Sequence, residues 1–341
     1  MNSFLIFIFS LCLSFIFCII LLKVLKPLLP VDTPNLRSSH KEPTYNGGGL
    51  AVILSFFSIL YFSLLKENLS LEIFIFLFSV IPVSIISLLD DYKPVNPLFR
   101  LSIQLVSVLI FIYLIQPLPE IYLSEKITYM GFFSLFIFTF FLIWLINLFN
   151  FMDGINGISS LEVFSVSVSM IIFLNFFYEY TVLNIVLVSL AGCALGFLPF
   201  NFPRAYMFLG DIGACSLGML LGCLVLISLK SFPTFFWIWL IFLGVYIVDS
   251  GYTLVMRIIR KEKFYVAHSS HGYQIAAKAW KSHTKVSMSV VLINFLWLLP
   301  MGLFAGVSFI NPIFVLLVSY LPLFVLRYNL ELLSNKQNSV K

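Results

Sequence analysis

The chain has 341 residues, 61% of them hydrophobic and only 10% charged, with a mean hydropathy of +1.05. So much apolar surface has to face lipid, which excludes a water-soluble domain of this length. The net charge of +5 comes from basic residues dispersed over connecting segments, so it is not the footprint of a nucleic-acid-binding protein.

Apolar runs of spanning length fall at 3–25, 49–65, 71–89, 98–116, 129–148, 158–177, 181–199, 213–230, 233–256, 286–306 and 309–328. They predict an all-α integral membrane protein, a polytopic bundle of about eleven transmembrane helices forming a single transmembrane domain over 1–341. The run 4–22 has no basic segment before it and no small-residue cleavage site after it. Lys23 and Lys26 follow instead, as expected of a retained helix whose C-terminal end is cytoplasmic. The runs 49–65 and 181–199 are short enough to need tilting or trimmed ends. Tyr178, Glu179 and Tyr180 leave room only for a tight antiparallel hairpin between 158–177 and 181–199. Placing the N-terminus outside (periplasmic) and the C-terminus in the cytoplasm puts 17 of the 20 Lys and Arg on the cytoplasmic side. Only Lys66, Lys126 and Lys230 fall on the other. Cys12, Cys18, Cys193, Cys215 and Cys223 lie in apolar runs without metal-ligand or redox spacing, although Cys215 follows Asp211 by four residues.

This topology gathers every polar interruption on the cytoplasmic side. The first loop, 31–49, holds Asp32, Asn35, Arg37, His40, Lys41 and a triple glycine, which at a helix start can admit phosphate. Asp90 and Asp91 end the third run. A solvated helix end would explain one carboxylate, but two adjacent acids oppose the helix dipole and repel each other, which raises one pKa or recruits a cation. Asn147, Asn150, Asp153 and Asn156 recur every three residues and share one face if the helix continues through Asp153. Gly154 and Gly157 then allow a sharp turn or a close ligand approach. In 201–211, Asn201, Phe208 and Asp211 stand out. Asp211 reads equally as an ordinary helix N-cap or a functional acid, and Phe208 as an interfacial anchor or a stacking platform. Gly218 and Gly222 form a small-xxx-small pair, read as helix packing. Asp249 lies inside the ninth run, where a functional role and hydrogen bonding to neighbouring helices weigh equally. His268 and His271 sit in the most basic loop and would point together on one helical turn, placed to bind metal or phosphate.

In this order, the motifs VDTPNLRSSH at 31–40, PT at 43–44, GGG at 47–49, LDD at 89–91, NFMDG at 150–154, FLGD at 208–211 and HSSHGYQ at 268–274 resemble the polyprenyl-phosphate N-acetylhexosamine-1-phosphate transferases of glycosyltransferase family 4. The short histidine motif looks like the O-antigen-initiating branch, and the phospho-N-acetylmuramoyl-pentapeptide transferase of peptidoglycan synthesis is a relative. The resemblance implies transfer of an N-acetylhexosamine 1-phosphate from a UDP-sugar to undecaprenyl phosphate, releasing UMP and initiating O-antigen or another cell-envelope polysaccharide. It implies a multi-pass protein of the inner (cytoplasmic) membrane with its site on the cytoplasmic face. Such chemistry needs charge neutralisation and in-line positioning, and Mg2+ suits it, with Mn2+ as the alternative. By resemblance Asp211 is the metal ligand, and Asp90 or Asp91 assists the lipid phosphate as base or by holding it. His268 and His271 bind phosphate oxygens, while Asn150, Asp153 and Asn201 hold the uridine with Phe208 stacked on the base. Arg100 holds the lipid phosphate, Asn147, Asn156, His40 and Lys41 complete the substrate wall, and the prenyl tail lies in a groove between helices. A homodimer is compatible with this reading, and nucleic acid is not a partner.

Three departures bear on sugar preference: Tyr45 and Asn46 where relatives have Pro-Arg, Ala214 where they have Ser, and Asn156 where the peptidoglycan enzyme has Asp. The alternatives are that peptidoglycan transferase and, from another class, a secondary transporter. A transporter predicts polar residues at mid-membrane and matching broken helices in two halves.

Overall fold

The computed structural model describes residues 2–34, 42–123, 126–128, 131–178, 182–262, 270–307 and 310–339. Among these, ten helices are long and apolar enough to cross a membrane, and one bent pair brings the count to as many as eleven. The chain is an all-α polytopic membrane protein. The helices are α1 (Ser3–Lys23), α2 (Gly48–Leu65), α3 (Leu71–Phe78), α4 (Ile81–Tyr92), α5 (Pro97–Leu114), α6 (Phe132–Met152), α7 (Ile158–Phe177) and α8 (Val182–Asn201). There follow α9 (Gly210–Leu229), α10 (Phe235–Phe242), α11 (Gly244–Ile259), α12 (Gly272–Trp280), α13 (His283–Ile293), α14 (Leu299–Ala305) and α15 (Pro312–Ser339). Two antiparallel pairs complete the fold: Val31–Asp32 with Thr44–Tyr45, and Ile121–Leu123 with Lys126–Thr128.

Three of the apolar runs are not single straight α-helices. The run 71–89 is α3 followed by α4, which restarts with Pro82 in its first turn, a position that needs no backbone N–H. The run 233–256 is α10 and α11, which meet at 76°. The break is fixed from outside. A Cβ at Gly244 would lie 3.0 Å from the Tyr320 ring, and the Tyr320 hydroxyl donates to the Leu240 carbonyl at 2.7 Å. The third, α13, passes through a π-helical stretch, Asn294–Leu298, into α14.

The core is built around α9, 94% buried over its spanning window. Lipid removes the hydrophobic drive between helices, so close packing and interhelical hydrogen bonds hold the bundle. A Cβ at Gly218 would lie 2.6 Å from the Leu145 carbonyl, and one at Gly222 would lie 2.6 Å from the Leu142 side chain, so this pair is the packing face for α6. Ser84 and Ser216 tie α4 to α9 at 2.7 Å. Packing α2, α4 and α6 around α9, with α8 against α2 and α7, brings Asp90 and Asp91, the turn 153–157 and the loop 202–209 to one end of the bundle.

Candidate active site

The acids at this end divide by what they touch. Asp91 accepts the Asp211 N–H at 2.9 Å, the Ile212 N–H at 3.1 Å and the Asn46 amide at 2.9 Å. It therefore caps the N-terminus of α9 from another helix, satisfying donors that a helix start leaves open. Gly210 has φ +78, and a Cβ there would sit 2.6 Å from the Asp91 carboxylate, so this crossing needs glycine. The triple glycine serves the same junction. Gly48 and Gly49 donate to the Phe208 and Leu209 carbonyls at 2.8 and 2.7 Å, and a Cβ at Gly49 would lie 2.2 Å from the Gly213 Cα. These glycines admit neighbouring backbone, and two of the N–H donors that open α2 are spent on it, which corrects the phosphate reading.

Asp90 ion-pairs with Arg100 and accepts the Val95 N–H at 2.6 Å. The same Arg100 nitrogen reaches Asp211 at 3.1 Å. Of these three side chains Asp211 is the most open, 34% exposed against 12% for Asp90 and 22% for Arg100. One guanidinium thus faces two carboxylates, with a third acid, Asp91, behind them.

Beside this cluster opens a cleft of about 240 Å3. Its walls include Asp32, Asn46, Asn150, Asp153, Asn156, Asn201, Phe208, Asp211, Gln274 and His283. α6 ends at Met152 and Asp153 is its C-cap, so the Asn and Asp repeat is a helix end plus a turn and not one helical face. Asn150, Asp153 and Asn156 line the cleft. Asn147 does not: its amide bonds the Gln104 side chain at 3.1 Å, between α5 and α6. Asn201 spends both ends of its amide on scaffold, accepting the Gly157 N–H at 2.6 Å and donating to the Met207 carbonyl at 2.9 Å. Asn156 donates to the Pro203 carbonyl at 3.0 Å, tying the same two loops together. Burial pushes the Asp153 carboxyl up to about 7; a hydrogen bond from Ser159 works the other way, and the Asp211 charge adds to the rise.

His271 is buried and extended, directly before α12, so it is not on a helical turn. It stacks against Tyr273 at 5.9 Å between ring centroids, and its Nδ1 lies 4.0 Å from Asp249. Burial holds its pKa below the ordinary range, so it is neutral at pH 7; Asp249 opposes the shift, and Arg327 and Arg257 add to it. Gln274 from the same turn reaches the cleft wall and His271 does not. His40, Lys41 and His268 lie outside the described residues. Asp249 accepts the Gly272 and Tyr273 N–H groups at 2.6 and 2.9 Å and pairs with Arg327 at 3.1 Å. Its bonds all run to neighbouring structure, which is the second of its two sequence readings.

Sequence reasoning passed over His283, the first residue of α13. Its signal was slight: a lone histidine after Ser282, whose hydroxyl accepts the Lys285 N–H at 3.2 Å as a helix cap. Glu162, fully buried in α7, was also passed over, although an acid inside an apolar run is a signal in itself.

The donor chemistry suits a hard divalent cation. Asp211 offers a partly open carboxylate, with the oxygens of Asn150 and Asp153 on the same wall. Among the described residues no three His, Cys, Asp or Glu side chains converge on a point. Mg2+ rarely uses such a cage, taking one or two carboxylates together with phosphate and water.

Fold and site define a polytopic membrane protein with an acid- and amide-lined cleft at one end of its bundle. Residues 73–229, which carry Asp90, Asp91, Arg100, Asn150, Asp153, Phe208 and Asp211, match the family model of glycosyl transferase family 4. The chain is 33% identical over 118 residues to the "Probable undecaprenyl-phosphate N-acetylglucosaminyl 1-phosphate transferase" of Bacillus subtilis (strain 168), covering 34% of this chain and 33% of that one. It is 28% identical over 205 residues to the "Phospho-N-acetylmuramoyl-pentapeptide-transferase" of Streptococcus pneumoniae serotype 19F (strain G54), covering 57% and 61%. A protein of the same name from Streptococcus agalactiae serotype III (strain NEM316) is 32% identical over 224 residues, covering 60% and 64%. The matches thus span less than two thirds of each of these relatives.

Proposed function

We infer that this chain transfers a sugar 1-phosphate from a UDP-N-acetylhexosamine to undecaprenyl phosphate, releasing UMP, at the cytoplasmic face of the inner membrane. The observation that carries this reading is one cleft holding Asn150, Asp153, Phe208 and Asp211, backed by the Arg100 pairs with Asp90 and Asp211. A phosphate oxygen of the lipid attacks the sugar-bearing phosphorus, and the bond from that phosphorus to the UMP oxygen breaks. Both reactants are anionic, so the protein's task is to neutralise and align them.

Asp211, with the oxygens of Asn150 and Asp153 beside it, would hold Mg2+, which when bound supplies charge neutralisation for the phosphates. Asn150 and Asp153 present hydrogen-bonding groups to the uracil and ribose, and Phe208 presents a ring edge or face to the base. Asn201 and Asn156 act one step back, by holding the loops that carry these groups. Arg100 stands where it can exchange a carboxylate partner for the lipid phosphate, leaving Asp90 beside the attacking oxygen. An apolar groove of about 480 Å3 runs along α6 past Phe140, Trp144, Leu240 and Ile247. Trp144 precedes Asn150 by six residues on α6, about 9 Å along the axis, so a prenyl tail in this groove would bring its phosphate toward the acids.

Initiation of O-antigen or a related polysaccharide is the pathway this reading favours. The peptidoglycan transferase is kept as a second reading because relatives of that name match more of the chain than the N-acetylglucosaminyl relative does. The test is to incubate membranes containing the chain with a panel of UDP-sugars, undecaprenyl phosphate and Mg2+ and to follow UMP. UMP with an N-acetylhexosamine donor is expected. UMP only with the UDP-muramoyl-pentapeptide would select the second reading, and none with any donor would favour a transporter.

A further inference from the structure

Glu162 sits in α7 with no exposed surface, and among the described residues no Lys, Arg or His forms an ion pair with it. Its Oε2 accepts the Asn294 amide at 2.7 Å, and that amide nitrogen also reaches the Ser165 hydroxyl at 2.7 Å. Two oxygens at this contact are buried without a partner: Glu162 Oε1 and Asn294 Oδ1. An ionised carboxylate here would be a bare charge in a spanning helix, costing several kcal/mol. A proton on Oε1 changes the count. It turns an orphan acceptor into the donor that Asn294 Oδ1 lacks, so one proton satisfies both atoms. From α11 the Tyr246 hydroxyl interacts electrostatically with Glu162 and is engaged with Ser159 at 3.0 Å.

The contact has a structural consequence at the cleft. α13 is tied to α7 and its preceding turn at two places. Ser287 donates to the Asn156 carbonyl at 2.8 Å, and seven residues on, two helical turns, Asn294 meets Glu162. Asn294 is also where α13 passes into its π-helical stretch, a feature often found at functional positions. Lipid does not press α13 onto α7, so polar ties of this kind set depth and register. At the head of α13, His283 enters the cleft wall beside Asn156.

We propose that Glu162 and Asn294 form a neutral, doubly hydrogen-bonded acid–amide pair that sets the register of α13 on α7 and thereby the position of His283 in the cleft wall. They are positioning residues, not groups that touch substrate. That His283 faces a nucleotide sugar rests on the function proposed above; the proton on Glu162 does not.

Infrared spectra of the full chain in detergent at pH 7 test the proton directly. The C=O band of a protonated carboxyl is expected in the unmodified chain and in D153N, and is expected to lose intensity in E162Q. If the unmodified chain and E162Q superimpose, Glu162 is ionised and the pair as drawn is wrong. Glutamine reproduces the donor and acceptor of the acid, so E162Q should keep its thermal midpoint and release UMP within about twofold of the unmodified rate. E162A and N294A should raise KM for the UDP-sugar roughly tenfold with a smaller change in kcat. E162Q as damaged as E162A would mean that the charge matters, and would overturn the proposal. Should E162A fail to fold, N294A carries the KM comparison. If the unmodified chain releases no UMP, the functional reading has failed, while the infrared band and the E162Q midpoint still decide the pair.

Discussion

Two helix starts in this molecule are capped by the same device and differ in charge balance. Asp91 caps α9 from α4, and Asp249 caps α12 from α11, each accepting two successive backbone N–H groups. At α12 the acid is answered by Arg327, which also bonds Thr253 and the Ser270 carbonyl. At α9 Asp90 and Asp211 share one Arg100, and Asp91 stands behind them as a third acid. A matched pair builds structure. A surplus of carboxylate next to a cleft is an arrangement that attracts a cation and tolerates phosphate only once that cation is present. The difference separates two intramembrane acids that hydropathy alone cannot tell apart.

Breaking the matched pair should cost most. D249A leaves the buried Arg327 with only its longer ionic contact, to Glu331 at 3.9 Å, and α12 without its cap, so a loss of about 3 kcal/mol of stability, the lower end for breaking a buried pair, is expected. It should be read as a lowered thermal midpoint in detergent, while the folded fraction keeps its KM for the UDP-sugar. A mutant that folds normally and loses only activity would reverse the assignment of Asp249 as structure. Breaking the surplus should do the opposite. D211N is expected to lower UMP release by roughly 100-fold or more, the scale of removing a main electrostatic group from an active site. Its thermal midpoint should hold. Full activity in D211N would end the metal assignment.

The spanning helices were legible because each apolar run has bilayer length, and length is what hydropathy measures. The 76° break between α10 and α11 was not, because its cause is Tyr320 and Leu298, side chains distant in sequence that crowd Gly244. The site shows the same split. Asn150, Asp153, Asn156, Phe208 and Asp211 announce themselves as polar residues at the ends of apolar runs, and they line one cleft. What the triple glycine does depends on the Phe208 and Leu209 carbonyls, which no local pattern brings to it. His271 carries the right chemistry and is turned inward by the cap of α12, a matter of backbone direction that its spacing from His268 does not encode.

A gentler test of the α9 end uses pH. Burial raises the Asp153 carboxyl to about 7, so the folded chain holds a proton there that the unfolded chain has already released. Stability from this group is present at low pH and is lost as pH rises from about 4 through 7, at most ~1.4 kcal/mol per pH unit and less for a half-buried group. D153N removes the titration. Its thermal midpoint relative to the unmodified chain should therefore climb between about pH 4 and 7 and level off above about 8. A difference that stays flat across this range would show that Asp153 is ionised throughout and that the cleft is wetter than its geometry implies.

The smallest effect is expected at Asn147, where pattern and structure part most clearly. Its spacing from Asn150 and Asp153 places it with the substrate residues, yet α6 ends at Met152 and the Asn147 amide points to Gln104. N147A removes one interhelical hydrogen bond within the bundle, worth about 0.6 kcal/mol and up to 1–2. Gln104 keeps an unsatisfied carbonyl, so the loss should fall toward the upper part of that range. KM for the UDP-sugar and the rate of UMP release should stay within about twofold, because the α6 backbone that carries Asn150 is held at Gly218 and Gly222 and not by this bond. N150A in the same background should raise KM, since Asn150 lines the cleft. If N147A instead raises KM as much as N150A does, the two amides act on one ligand, and the helix end has to unwind by a turn when substrate binds.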